Sequence, residues 1–215
     1  MTPPPVVGAR ARVPAFGKRR LGTIVSVAPP RTGIAYAATQ GRGIWAFDDV
    51  SPLRALAAGA ARDPLHLVAP AVATRLRSSE NHDTPPPPET PLGQNPPTGA
   101  VFDYWLGSAA SGPVTLAITD EQGRTVRRFR SDDPPESLKV DVYYESGWLR
   151  PPRTLATGAG MHRFVWDLTY PRPGARTFHS SIAAVRNAGT PALPLGPFVL
   201  PGRYTVTLSA GGRSQ

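Results

Sequence analysis

Proline limits the folds open to this chain more than any other residue type. The sequence holds 27 prolines and 21 glycines among its 215 residues. Proline lacks a backbone N–H and breaks the interior of helices and central strands, so it belongs in loops, at strand edges and in first helical turns. These residues exclude a helical bundle, and the glycines follow no three-residue period, which excludes collagen. Because 40% of the residues are apolar, the chain can still bury one core.

The first structured region predicts three short antiparallel strands. Runs rich in β-branched and aromatic residues occupy 22–27, 34–39 and 44–47, and glycine or proline separates them. Three strands with one short helix bury little on their own.

A short helix is predicted directly after these strands. Ser51 is placed as its N-cap and Pro52 in its first turn, with the acids Asp48 and Asp49 near the positive end of the helix dipole. The pattern ends the helix at about Gly59.

A different pattern of strands begins after the helix. Residues 66–77 are strand-like, and regular alternation resumes beyond residue 98. Asp120 and Gly123 belong to a tight hairpin turn, in which Gly123 suits a left-handed conformation. Such spacing predicts a small antiparallel β-sandwich. The strand candidates after residue 98 are 99–107, 113–120, 124–130, 162–170 and 202–210.

These patterns divide the chain into three parts: a basic disordered tail at 1–21, strands with a helix at 22–62, and the sandwich at 63–210. Consecutive prolines at 85–88 are typical of an extended, exposed connection. The predicted proline-rich loops are 79–98, 131–160 and 171–197.

The charge balance raises the question of a polyanion partner. Lysine and arginine number 24 against 15 acids, giving a net charge of +9. The arginines are scattered and no pattern presents them on one face, which disfavours nucleic-acid binding. An arginine-rich binder of acidic polymers remains an alternative.

The absence of cysteine removes disulfides, thiolate metal sites and a cysteine nucleophile. Residues 1–20 lack the apolar stretch of a signal peptide. No apolar run approaches the length of a membrane-spanning helix.

One segment resembles the closing blade of bacterial BNR/sortilin-type β-propeller proteins. The last repeat of that family ends in T-x-G-R-x-I-W-x-x-D-D-x-x-P-L. The matching residues here are Thr39, Gly41, Arg42, Ile44, Trp45, Asp48, Asp49, Pro52 and Leu53.

A second set of segments resembles the immunoglobulin-like sandwich of flagellar hook-capping proteins. Its pattern is V-x-L-x-I-x-D-x-x-G-x-x-V-R, followed by G-x-x-x-x-x-W-D and P-G-x-Y-x-V-x-L. The matching residues are Val114, Leu116, Ile118, Asp120, Gly123, Val126, Arg127, Gly160, Trp166, Asp167, Pro201, Gly202, Tyr204, Val206 and Leu208.

The two resemblances cover most of residues 22–210 and imply an incomplete terminal propeller blade followed by an immunoglobulin-like sandwich. Since a propeller needs at least about four blades, we expect this chain to be the C-terminal part of a larger protein. The resemblance implies an extracellular or periplasmic location, and upstream blades as a partner of the sandwich.

The residues themselves favour structural roles. Phe164 and Trp166 alternate with polar neighbours and are expected between two sheets, while Asp167 is expected to accept a hydrogen bond from a turn amide. Pro201-Gly202 leads into the final strand, where Tyr204, Val206 and Leu208 share a core face.

Catalytic and metal sites are disfavoured by spacing. Glycoside hydrolysis needs two carboxylates facing across a cleft, whereas Asp48 and Asp49 are adjacent and explained by the helix start. Arg42 alone cannot supply the arginine cluster of a sialidase. Residues 80–83 could hold calcium but lie in the proline-rich connection, and His66, His162 and His179 are isolated.

Aromatic residues leave one further possibility. Asp103-Tyr104-Trp105 and the group Tyr143, Tyr144 and Trp148 could stack on sugars or grip a proline-rich peptide, although capping of the core is favoured. We therefore predict a non-catalytic structural or interaction module without metal or cofactor, with a protein or glycan ligand. The alternative is an accessory domain of a secreted glycoside hydrolase or peptidase whose active site lies upstream.

Overall fold

The computed structural model shows a mainly β protein that divides into two compact units, Met1–Ala60 and Ala61–Gln215. It describes residues 10–13, 20–27, 35–38, 44–75, 97–134, 154–174 and 195–215, with side chains described from Phe47 onward. The boundary predicted from the sequence lay between residues 62 and 63.

The first unit contains a four-stranded antiparallel sheet in which each strand pairs with the next along the chain. Strand β1 lies within the residues predicted as a disordered tail, and the structure differs from that prediction there. Its Arg-Ala-Arg-Val sequence alternates with a period of two, as a strand requires, and Arg10 pairs with Thr23 of β2. The strands are β1 (Arg10–Val13), β2 (Arg20–Val27), β3 (Ala35–Ala38) and β4 (Ile44–Phe47).

Helix α1 spans Ser51–Ala58 and ends at Gly59, as predicted. Its beginning differs from the prediction: Val50 is the N-cap and Ser51 is already helical. The reason is that the Asp49 carboxylate, rather than the Ser51 hydroxyl, accepts a first-turn amide, with Asp49 Oδ1 2.8 Å from Ser51 N.

The second unit consists of two antiparallel sheets. One has the strand order β5-β6-β9 and the other the order β11-β10-β7-β8. All five strand candidates beyond residue 98 are confirmed. The strands are β5 (Leu65–Leu67), β6 (Ala100–Leu106), β7 (Thr115–Thr119), β8 (Thr125–Arg130), β9 (Gly160–Trp166), β10 (Thr205–Ala210) and β11 (Arg213–Ser214).

The strand-like segment 66–77 is strand only at its start. Leu67 ends β5, and the described residues that follow, up to Arg75, have no regular structure. Pro70 explains the difference, because proline cannot donate to a sheet ladder.

One hydrophobic core joins the two sheets. Leu116 and Leu208 face it from one sheet, and Tyr104 and Trp166 face it from the other. The rings of Phe129 in β8 and Phe164 in β9 lie 4.7 Å apart and connect the sheets directly. The predicted inward position of Phe164 and Trp166 is thereby confirmed, since each is no more than 3% exposed.

Candidate functional site

The described residues of the second unit form a cavity of about 670 Å³ between the two sheets. Inward residues of both sheets line it: Phe102 in β6 and Trp166 in β9 face Ile118 in β7 and Val206 in β10. Protein interiors normally pack without voids larger than a water molecule. A space of this size instead falls within the range of small-ligand sites.

Two aromatic side chains shape the cavity wall. The rings of Trp166 and Tyr204 meet edge to face, with centroids 5.8 Å apart. Trp166 Nε1 donates to Thr169 O at 3.0 Å, and the Tyr204 hydroxyl donates to Leu200 O at 2.6 Å. Because backbone carbonyls accept hydrogen bonds from the indole N–H and from the hydroxyl, the two rings present mainly apolar surface to the cavity.

Tyr204 stays protonated at neutral pH. Desolvation, assisted by Tyr170 and by the acids Asp120 and Glu121, raises the pKa of its hydroxyl above the ordinary value of 10.0. The hydroxyl therefore remains a hydrogen-bond donor to Leu200 O.

The rim of the cavity is apolar and exposed to solvent. Val72 is 96% exposed and Leu200 is 73% exposed, although both are large hydrophobic residues that line the cavity. Phe198, next to the lining residue Val199, is also exposed. Clustered exposed apolar residues of this kind mark interaction sites more often than isolated ones do.

Among the described residues that line the cavity, Arg75 alone carries a charge. Its Nη1 donates to Val199 O at 2.9 Å, and its guanidinium carbon lies 5.9 Å from the centre of the Phe198 ring. These contacts hold a positive charge at the apolar rim.

Several residues singled out from the sequence meet at this cavity. Trp166, Pro201, Gly202 and Tyr204 all line it. Asp167 lies beside the wall, where its Oδ1 accepts a hydrogen bond from the Thr169 hydroxyl at 2.7 Å; the prediction had named a turn amide as the donor.

Asp120 and Gly123 form the predicted hairpin turn between β7 and β8. Asp120 Oδ1 accepts hydrogen bonds from the backbone N–H groups of Gln122 and Arg124, and Asp120 Oδ2 accepts one from Arg124 Nε. Gly123 has a φ of 75°, the left-handed conformation predicted for it. Desolvation would raise the pKa of the Asp120 carboxyl, but the bonds from Arg124 and Gln122 outweigh it and lower that pKa.

The residues matched to the propeller blade are only partly described. Thr39, Gly41 and Arg42 lie outside the described residues, and Trp45 is described by its backbone alone, which pairs with Ala37. Asp48 is exposed and Asp49 serves the helix start.

The aromatic residues predicted as possible ligand contacts differ in their positions in the structure. Tyr104 is 1% exposed and belongs to the core, where its hydroxyl donates to Ala156 O at 2.9 Å and burial raises its pKa to about 12. Trp105 is half-buried, as expected for the next residue of a strand, which points to the opposite face. Tyr143, Tyr144 and Trp148 lie outside the described residues.

Asp103 and Arg163 form a bidentate ion pair across β6 and β9. Arg163 Nε lies 2.8 Å from Asp103 Oδ1, and Arg163 Nη2 lies 3.1 Å from Asp103 Oδ2. The aspartate side chain is 6% exposed and the arginine side chain 36% exposed. Such pairing is expected of a charge that is largely buried.

Sequence reasoning missed two segments that line the cavity, 70–75 and 199–200. Their signal was present as apolar runs next to proline, Val68–Val72 around Pro70 and Phe198–Leu200 before Pro201. The first run was predicted as part of a strand over 66–77, and the second lies outside all the strand candidates, so neither was placed in a cavity wall.

Within the described residues, no three or more histidine, aspartate or glutamate side chains gather as a metal site would require. The histidines there have other neighbours: His66 Nδ1 lies 3.0 Å from Asp63 Oδ2, and His162 Nε2 lies 2.7 Å from Gly158 O. Residues 80–83 and His179 lie outside the described residues. The described helices include none with the length and hydropathy to span a bilayer.

The fold and cavity define a mainly antiparallel β protein of two units, the second with an apolar space between its sheets. Comparison with known proteins adds no relative: no family model, no curated protein and no solved structure matches this chain.

Proposed function

We propose that this chain is a non-catalytic interaction module, and that its second unit binds an apolar group in the cavity between its sheets. The proposal includes the origin suggested by the sequence, a C-terminal part of a larger exported propeller protein. The observation that carries it is the apolar cavity of about 670 Å³ with an exposed apolar rim.

The order of the strands supports an immunoglobulin-like sandwich. Counted along the described strands of the second unit, β5 to β11, the first, second and fifth form one sheet, and the third, sixth and seventh share the other with the fourth. Immunoglobulin constant-type domains divide their strands in the same way except for the fourth, which pairs with the fifth.

Tyr204 gives a second point of support. A tyrosine at the start of the sixth strand of immunoglobulin-like domains bonds through its hydroxyl to the backbone a few residues upstream. Tyr204 immediately precedes β10, the sixth strand, and donates to Leu200 O.

The first unit is consistent with a propeller blade. Blades are four-stranded antiparallel sheets, and β1 to β4 form such a sheet. This agreement supports the proposed origin from a propeller protein.

Four carboxylates of the described residues support a non-catalytic role because each has a structural partner. Asp49 accepts the Ser51 amide, Asp103 pairs with Arg163, Asp120 organises a turn and Asp167 accepts the Thr169 hydroxyl. Glycoside hydrolysis requires instead two carboxyl groups that face a shared cleft.

The arginines lend little support to the alternative of a polyanion binder. Arg124, Arg130 and Arg163 each pair with an aspartate. Paired guanidinium groups have fewer donors left for phosphate or sulfate.

A neutral apolar dye tests the proposal. Nile red should bind the full chain saturably, and Ala73→Trp should weaken that binding by more than about tenfold, because the indole fills the cavity and removes apolar area available for burial. Ala109→Trp, at an exposed position outside the lining, is the matched control and should bind as the parent does.

Equal dye binding by the two tryptophan variants would contradict the cavity as the site. Turnover of a fluorogenic sialoside by the full chain would contradict the non-catalytic part of the proposal.

A further inference from the structure

The cavity combines a deep apolar floor with one cation at its edge. Phe102, Ile118 and Trp166 are each at least nine-tenths buried and form the floor. Arg75, at the rim, is exposed. This separation of apolar and charged surface matches a ligand that is itself apolar at one end and charged at the other.

Most N–H donors of the Arg75 guanidinium make no hydrogen bond to the described residues. A guanidinium carries five N–H donors, and within the described residues that of Arg75 makes one hydrogen bond, to Val199 O. That bond and the Phe198 ring fix the side chain at the rim. The remaining N–H groups can receive a carboxylate in the bidentate geometry that arginine favours.

The charge of the lining favours an anion over a cation. In the part of the chain that the structure describes, the lining contains Arg75 and no carboxylate. The acids that act on Tyr204, Asp120 and Glu121, lie outside the lining, and Asp120 is paired with Arg124. A carboxylate at the rim therefore meets a positive charge that no described lining residue neutralises, whereas an ammonium group would be repelled.

We propose that the cavity binds a linear amphipathic carboxylate, with its alkyl chain between the two sheets and its carboxylate on Arg75. This inference rests on the proposed function and names the ligand class for the same site.

The alkyl chain is tested first by its length. Each buried methylene contributes free energy equivalent to about fourfold in affinity, so decanoate should bind the full chain about fifteenfold more tightly than octanoate. Intrinsic tryptophan fluorescence, to which Trp166 in the cavity wall contributes, follows the titration, carried out below the concentration at which decanoate self-associates. Equal affinities for the two acids would overturn the placement of the chain in the cavity.

The head group is tested by comparing decanoate with decanol. Charge-assisted hydrogen bonds to arginine should favour decanoate by about tenfold. Arg75→Gln should abolish that preference, weakening decanoate about tenfold more than decanol, and Arg75→Lys should retain part of it because the charge remains. Arg213→Gln, outside the lining, is the charge-matched control and should leave both affinities unchanged.

The outcomes separate this inference from the proposed function. If decanoate and decanol bind equally well, and Arg75→Gln changes neither affinity, the proposed contact between the ligand carboxylate and Arg75 is wrong. The apolar binding site of the proposed function would still stand. Failure of decanoate, decanol and Nile red alike would overturn both.

Discussion

At the scale of single residues, polar side chains of the described residues are mostly placed to hold the fold. The ion pair of Asp103 and Arg163 is the clearest case, because its aspartate is nearly buried while its arginine reaches solvent. The two partners should therefore differ in what their removal costs.

Arg163→Ala should lower the free energy of unfolding by about 2–3 kcal/mol, because it leaves a buried carboxylate without its bidentate partner. Asp103→Ala should cost less, about 1–2 kcal/mol, since the exposed guanidinium can turn to water. Urea denaturation measures both.

The double variant provides the control. It should be no less stable than Arg163→Ala alone, because no buried charge remains unpaired. Additive losses would show that the two side chains do not act as a pair.

At the scale of elements, the hairpin of β7 and β8 depends on one charged turn residue. Asp120 accepts two backbone amides and the Arg124 side chain, and these bonds lower its pKa below 3.8. A carboxyl whose pKa is lower when folded stabilises the fold above its ordinary pKa and loses that contribution as the pH falls through the folded value.

Asp120→Asn should therefore be less stable than the parent chain near neutral pH, and the difference should shrink as the pH falls below 3.8. Urea denaturation at a series of pH values measures it. Glu121→Gln removes the neighbouring charge, which accepts none of these turn bonds, and should show no comparable loss at neutral pH. A difference for Asp120→Asn that is independent of pH would contradict the role of its charge.

The elements were predictable to the extent that they follow local rules. Alternation located β6 to β10, and the turn chemistry of Asp120 and Gly123 located the hairpin. The cavity was not predictable in this way, because the pattern at 66–77 predicted a strand where segment 70–75 has no regular structure, and segment 199–200 matched no strand candidate. The partner of Asp103 lies 60 residues away in the chain, and only the sheet register brings the two together.

At the scale of the whole molecule, the second unit contains a core of its own. The buried core cluster and the cavity lie within Ala61–Gln215. A unit that contains both core and site is expected to fold and bind without the residues before it.

The central claim is that the cavity between these two sheets is a binding site, and NMR spectroscopy tests it most directly. Residues 61–215 and the full chain should give overlapping amide spectra for this unit. With decanoate added to either, nuclear Overhauser contacts should join the terminal methyl group of the ligand to Trp166 and Ile118. Contacts confined to residues outside the cavity lining, or none at saturating decanoate, would contradict the account.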